Sequence, residues 1–403
     1  MSPLTLGLLG TTRKENELRV PIHPQHLELI PSTLRQSITV EEGYGRHFGT
    51  TPDELEGLFA GVRTQQEIFE DCDIVLLPKP IAEDLTKMHE GQVLWGWPHC
   101  VQDEELTQNA IDRRLTLIAW EAMNLWRSDG TFSLHVFHKN NELAGYCSVM
   151  HALQLRGRTG QYGMPLRAVV ISFGATARGA VTALASLGIF DVTILSQRHP
   201  TEVASPVHSA TILRFVAVDG DHAMLEVISD DGATPLVEVL AQHDVVVNCV
   251  LQDPEAPFMF VTHSDLGRFE PGTLVVDVSC DEGMGFEWAR PTTFSEPMLA
   301  VGDRVDYYAV DHSPSYLWDS STWEISDALL PYLPTVMAGP ESWAKSETIQ
   351  RAIEIRDGIV QNPKILSFQN RALHHPHEKS SGAAKDKSKG IDPNPHVPAS
   401  RRR

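Results

Sequence analysis

The sequence predicts an α/β fold in which two parallel-sheet domains flank a cleft, and three observations predict it. Short apolar runs rich in Val, Ile and Leu recur between residues 4 and 310, and many stop at a glycine, a proline or a charged residue. Runs of this kind suit strands covered on both faces. A helix-spaced stretch at residues 140–156, NNELAGYCSVMHALQLR, divides these runs into two groups. Residues 167–198, RAVVISFGATARGAVTALASLGIFDVTILSQR, carry a strand, a glycine turn, a small-residue helix and a second strand in that order. That order is the unit of a dinucleotide-binding sheet.

A chain of 403 residues is long enough for two or three domains with buried cores. The net charge of -20 argues against nucleic acid or an anionic membrane as the main partner, since both would repel it. The five cysteines, Cys72, Cys100, Cys147, Cys249 and Cys280, are odd in number and widely spaced, which suits reduced core thiols better than disulfides or a zinc cage. No metal site is assigned. With no signal-like opening and no apolar run of spanning length, a cytoplasmic protein acting on small molecules is expected.

In the first group, residues 4–9 read as a strand ending at Gly10, followed by the polar stretch TTRKENELRVPIHP. Arg13, Lys14, Glu15 and Glu17 fit solvated loop charges. Arg19 differs, because Val20, Pro21 and Ile22 place it at the lip of packed structure, where a guanidinium can hold a carboxylate by two bonds. Helical spacing follows at 24–30 and a strand at 37–42. Three further strands, at 73–77, 92–97 and 116–119, run into Lys79, His99 and Glu121. Lys79 alone is equally an exposed loop lysine, and His99 alone reads first as a structural histidine. Together, at the carboxyl edge of one sheet, they make a proton-transfer set.

In the second group, Gly174 and Gly179 bracket a turn in which Thr176 stands where the usual fingerprint has its middle glycine. Gly174, Ala175, Thr176, Ala177 and Gly179 are the candidates for holding a pyrophosphate. The next strand ends Ser196, Gln197, Arg198, with no carboxylate for the ribose hydroxyls and an arginine for a 2′-phosphate, which favours NADP(H) over NAD(H). Residues 199–243 read as polar loops containing Asp219, Asp221, Asp230 and Asp231. Residues 244–251 and 273–279 read as core strands, and Asp277 at the end of the second joins the cofactor candidates, with Asp281 close by. A strand at 307–310 ends in Asp311, His312, Ser313, Pro314.

Helices are expected at 321–333 and 345–357, packing back on the first domain. The domains are then 1–140 plus 315–372 for substrate and 141–314 for the nucleotide. From residue 373 the composition, HHPHEKSSGAAKDKSKGIDPNPHVPASRRR, reads as a disordered tail.

The segments KENELRVPIHP, LLPKP, GWPHCVQDEELT, LIAWEAM, HVFHKNNELAG, YYAVDHSPS and IRDGIVQNPKILSFQNR, in this order, resemble the alanine dehydrogenase and saccharopine dehydrogenase superfamily. Within it they are most similar to the N5-(carboxyethyl)ornithine synthases, which are opine-type reductases. The resemblance spans residues 4–371. It implies two Rossmann-like domains with the active site between them, NADPH as reductant, and condensation of a basic amino acid such as ornithine or lysine with a pyruvate-like 2-oxo acid through an imine. It implies that Arg19 binds the oxo-acid carboxylate, that Lys79 and His99 are the acid/base pair, and that Glu121 and Asp311 tune them. A homo-oligomer is also expected. The stretch after Pro314, SYLWDSSTWEIS, lacks the basic residue that saccharopine dehydrogenases carry there. Alanine dehydrogenase-like or saccharopine dehydrogenase-like chemistry and a non-catalytic nucleotide sensor are the alternative readings.

Overall fold

The computed structural model describes residues 3–198, 210–253 and 256–379. In chain order the first strands are β1 (Leu6–Leu8), β2 (Ile38–Glu41), β3 (Gly61–Arg63), β4 (Ile74–Leu76), β5 (Val93–Gly96) and β6 (Thr116–Ala119), then a separate hairpin of β7 (Asn124–Trp126) and β8 (Phe132–His135). The helix His138–Leu155 leads to β9 (Arg167–Ile171), β10 (Asp191–Ser196), β11 (Ala210–Val218), β12 (Asp221–Ser229), β13 (Gly232–Pro235), β14 (Val245–Asn248), β15 (Met259–Val261), β16 (Thr273–Asp277), β17 (Gly285–Phe286), β18 (Met298–Val301) and β19 (Val305–Tyr308). The chain then returns to the first sheet with β20 (Ile353–Arg356) and β21 (Ile359–Val360).

The first sheet has the order β21-β20-β6-β5-β4-β1-β2-β3, with β1 to β6 parallel and β20 antiparallel to β6. The second has the order β13-β12-β11-β10-β9-β14-β16-β19-β18, parallel from β11 to β19. Both sheets are covered on both faces, which is why their strands read as unbroken apolar runs. Ile74 and Leu76 enter one core while Val75 and Leu77 enter the other, and Val170 is likewise separated from Val169 and Ile171. Each sheet reverses its strand order once, between β1 and β4 and between β9 and β14. At such reversals the loops diverge and leave a crevice at the strand ends.

Glycine sets how the linking helix meets the helix Ala175–Ser186. A Cβ on Gly145 would sit 1.9 Å from the carbonyl oxygen of Thr176, and one on Gly179 would sit 1.7 Å from that of Glu142. The two backbones touch, so neither position has room for a side chain.

Three expectations need correction. Residues 210–235 form the β11–β12–β13 meander instead of polar loops, and Phe215, Leu225 and Val227 are buried beneath it. Its first turn, Asp219-Gly220, has both residues at positive φ (51° and 79°), the conformation that Asp-Gly hairpin turns adopt. Residues 345–357 split into a short helix, Glu347–Ala352, and strand β20, which completes the sheet beside β6. The tail starts later than residue 373: His377 is buried, accepts the Val360 N–H at 3.1 Å and seals the β21 edge. Residues 380–403 lie outside the described residues. Among the described residues no helix is long and apolar enough to cross a membrane.

Candidate active site

The pairing order β4-β5-β6 brings together residues that are 20 and 22 positions apart in sequence. Lys79 follows β4 between Pro78 and Pro80, His99 follows β5, and Glu121 lies on the 3-10 turn Trp120–Ala122 after β6. Lys79 Nζ is 2.8 Å from His99 Nε2. Glu121 Oε1 accepts the backbone N–H of His99 at 2.7 Å and lies 3.9 Å from its Nδ1. That backbone bond has a task, since His99 has a φ of 49°, a conformation that costs a non-glycine residue about 1–2 kcal/mol. His99 keeps 47% of its side chain open to solvent, the face on which a substrate can reach it.

The charges around this edge set its protonation. The protein mass around the cleft floor, then the charge of Arg19, pull Lys79 down to about 8. Burial and then the Lys79 charge hold His99 well below its ordinary value. Burial and then the charge of Glu354 push Glu121 up to about 8. At neutral pH the pair is therefore an ammonium donating to a neutral imidazole. Burial first and the lysine charge second thus keep His99 a neutral acceptor.

Arg19 is buried, but not as a lone cation. Its Nε and Nη2 bind Glu17 at 2.7 and 2.5 Å, its Nη1 binds Asn140 Oδ1 at 3.2 Å, and its guanidinium lies 5.4 Å over the Trp97 ring. Three of its five N–H bonds are committed, and the Nη edge retains donors for a carboxylate. Burial pushes Glu17 up, but the charge and hydrogen bonds of Arg19 outweigh it and hold the carboxyl low.

Asp311, after β19, faces the loop after β1 from the other sheet. Its Oδ2 accepts from Lys14 Nζ at 2.7 Å and its Oδ1 lies 2.5 Å from His312 Nδ1, while His312 Nε2 is 2.5 Å from the carbonyl oxygen of Glu15. Glu15 Oε1 accepts the Ser295 N–H at 3.0 Å, and Ser315 Oγ donates to Asn16 O at 2.5 Å. Burial pushes Asp311 up, but its bonds to His312 and Lys14 hold it well below the carboxylate range. Lys14, Glu15 and Glu17 are thus structural members of the cleft and not solvated loop charges. Only their partners, some 300 residues away or buried beside them, reveal this.

On the second sheet the helix Ala175–Ser186 starts at Gly174 without a side-chain cap, so the N–H groups of Ala175, Thr176 and Ala177 are open to an acceptor. A Cβ on Gly174 would meet nothing within 4 Å. The turn fits a pyrophosphate there. Gly179 serves the helix crossing instead, as does Gly145, which lies against the backbone carbonyl of Thr176. Ser196 is buried and accepts the Arg198 N–H at 3.1 Å, so it shapes the turn. Exposed Arg198 donates from Nη2 to Phe173 O at 2.8 Å, and Arg214 donates from Nε to the Gln197 carbonyl at 3.3 Å. Asp277 departs from its expected cofactor role. Its carboxyl is buried and holds Asn248 Nδ2, Tyr307 OH and Cys280 N at 2.9, 2.8 and 3.1 Å, tying three strand ends together. Burial, then the charge of Asp277, pushes the Cys280 thiol well up. Asp281, which follows it, is pushed up to about 6 by burial.

Two family models match this chain: alanine dehydrogenase/PNT, N-terminal domain, over residues 11–144, and alanine dehydrogenase/PNT, C-terminal domain, over residues 158–363. The chain belongs to the alanine dehydrogenase/PNT family. An alanine dehydrogenase of Halomonas elongata is 27% identical over 346 residues, covering 80% of this chain and 86% of the relative. An N(5)-(carboxyethyl)ornithine synthase of Clostridium botulinum is 22% identical over 323 residues, covering 78% and 89%. A solved L-alanine dehydrogenase superposes with a TM-score of 0.71 at 18% identity, covering 91% of this chain and 99% of that one. A transhydrogenase from Sinorhizobium meliloti superposes with a TM-score of 0.65 at 20% identity, covering 89% and 99%.

An alanine dehydrogenase-like oxidoreductase with a nicotinamide cofactor follows from this membership. The family's two-domain frame accounts for the division of labour in the site. Titratable side chains line one sheet edge, and an uncapped helix start with open N–H groups lies at the other.

Proposed function

We propose that this protein is an NADPH-dependent opine-type reductive aminase, which joins the amine of a basic amino acid, ornithine or lysine, to a pyruvate-like 2-oxo acid through an imine. The observation that carries the reading is the 2.8 Å contact between Lys79 and His99 beside a buried arginine. Arg19 offers its Nη edge to the oxo-acid carboxylate. Neutral His99 takes a proton from the attacking amine, and the Lys79 ammonium gives one to the hydroxyl that leaves as water. A nicotinamide held in the cleft would supply the hydride for reduction of the C=N bond to an amine. Ala175, Thr176 and Ala177 would hold its pyrophosphate through their N–H groups. Gln197 and Arg198, which end the strand in place of a carboxylate, support NADPH over NADH.

Alanine dehydrogenase activity, in which ammonia takes the place of the amino acid, is the second reading. The 27% identity to an alanine dehydrogenase, against 22% to the synthase, favours it. Purified protein with NADPH or NADH, pyruvate, and ammonium, ornithine or lysine in turn separates the two when products are weighed by mass spectrometry. The proposal expects an N-carboxyethyl amino acid made with NADPH. Alanine formed from ammonium, with no product from either amino acid, would overturn it. A homo-oligomer is part of the proposal, supported by exposed Leu125, Phe132 and Leu134 on the β7–β8 hairpin, and light scattering checks it.

A further inference from the structure

Lys79 is a cation without a carboxylate of its own. Among the described residues no carboxylate oxygen lies within 4 Å of its Nζ, whose hydrogen-bond partner is the neutral imidazole of His99 at 2.8 Å. The acids that face it are engaged elsewhere. Glu17 is bound by Arg19 at 2.5 Å, Asp311 by Lys14 at 2.7 Å, and Glu121 by the His99 N–H at 2.7 Å. The other charged group facing it, Arg19, repels it. An ammonium held in this way needs another source of negative potential.

The ring of Trp97 supplies one. Lys79 Nζ lies 5.6 Å from the ring centroid and the Arg19 guanidinium 5.4 Å, both inside the ~6 Å at which an aromatic face attracts a cation, and indole is the strongest such face. A ring that only fills the core needs no cation on it; this one has two. A carboxylate in the same place would occupy the N–H donors that a substrate needs, whereas a π face attracts the charge and leaves them unspent.

The chain fixes the ring where it stands. A Cβ on Gly96 would come 1.9 Å from Leu77 O, and Trp97 N donates to Pro78 O at 3.0 Å, so the end of β5 lies directly against the Pro78-Lys79-Pro80 turn. Trp120 and Phe137 meet the ring edge-on at 4.6 and 5.3 Å and stack on each other at 5.0 Å. Phe137 caps the linking helix, whose Asn140 binds Arg19 Nη1 at 3.2 Å. One helix start therefore holds both the ring and the guanidinium. Trp97 is only 6% exposed, so it acts through the two cations and not by touching substrate.

We propose that Trp97 is a positioning residue of this active site: its indole face takes the place of a counter-carboxylate, holding the Lys79 ammonium and the Arg19 guanidinium together at the cleft floor without neutralising either. The inference rests on the reading of Arg19, Lys79 and His99 as the reacting edge.

Tryptophan fluorinated at one to four ring positions, placed at residue 97 alone, tests it, because each fluorine drains the π face while the shape of the ring is kept. The titration of Lys79 is followed in the full chain without substrate, by NMR of ε-13C-lysine assigned with Lys79→Arg. It is expected to fall stepwise below the wild-type value, by about half a unit to one unit for tetrafluorotryptophan. The sign follows from the ring favouring the charged form: a weaker face releases the proton at lower pH. A Lys79 titration that is the same with every ring overturns the proposal. In turnover assays the KM for pyruvate should rise about 3- to 10-fold across the series, with the KM for the amino acid unchanged. A KM that rises equally for both substrates also overturns it. Trp97→Phe, which keeps a weaker face, should retain more activity than Trp97→Leu, and equal losses count against the ring's charge as the cause. Should Trp97→Leu fail to fold, the fluorinated series still decides. Because the NMR reading needs no substrate, a graded Lys79 shift in protein that makes no N-carboxyethyl product sinks the functional reading alone.

Discussion

The two sheet edges that meet at the cleft build their sites from different materials. The edge after β4, β5 and β6 uses side chains, Lys79, His99 and Glu121, whose protonation depends on one another and on Arg19, Glu17 and Glu354. The edge after β9 uses backbone: an uncapped helix start, an open Gly174, and a helix crossing that leaves no room at Gly145 and Gly179. A side-chain site is broken by changing one functional group, whereas a backbone site is broken only by adding atoms or by moving a helix.

Removing the imidazole should give the largest effect. His99→Ala is expected to cost about 10²–10⁴-fold in kcat while NADPH affinity, read by fluorescence titration, stays within a factor of two or so. Equal loss in both would make His99 a structural residue and erase the contrast between the edges. Next comes Glu17→Ala, which strands a buried guanidinium and should destabilise the fold by about 3–5 kcal/mol in denaturant unfolding. A cost below about 1 kcal/mol would mean that water reaches Arg19.

On the backbone edge the effects should be smaller and should separate cleanly. Arg198→Ala is expected to weaken NADPH binding by roughly 10- to 100-fold, the worth of one or two charge-assisted bonds, with NADH binding unchanged. Parallel loss of both nucleotides would remove the argument for a 2′-phosphate contact. Gly179→Ala should lower stability by about 1–3 kcal/mol, since its Cβ would fall 1.7 Å from a carbonyl oxygen. Gly174→Ala, with open space around it, should leave unfolding unchanged and weaken nucleotide binding instead. If the two substitutions behaved alike, the glycines would not have the distinct tasks assigned to them. Mildest of all is a pH effect: turnover needs Lys79 protonated, so kcat/KM should decline above about pH 8, and a plateau continuing to pH 10 would count against the ammonium as donor.

Much of this was legible in the chain because it is local. Lys79, His99 and Glu121 were identifiable as strand-end residues before any pairing was known, since an apolar run stopping at a proline or a charge is a signal within one segment. The β11–β13 meander is hidden in the sequence because its strands are half-exposed and polar on one face, and only the Asp219-Gly220 turn marks it locally. Strand β20 was hidden in the same way by a helix-like spacing that starts at Glu347 and that sheet pairing overrides after Ala352.

The sequence by itself determined the alternation of strands and helices, the glycine turn with Ser196, Gln197 and Arg198 at the next strand end, and the candidates at the edge of the first sheet. Tertiary structure alone decided who meets whom. It buried Arg19 against Glu17, joined Asp311 to Lys14 across 297 positions of chain, turned Asp277 inward to hold three strand ends, and slipped the register of β20 at Glu354. The physical reason is that propensity and periodicity act over a few residues, whereas charge pairing and burial depend on strand order. A single slipped residue in β20 is enough to send a side chain to the other side of a sheet.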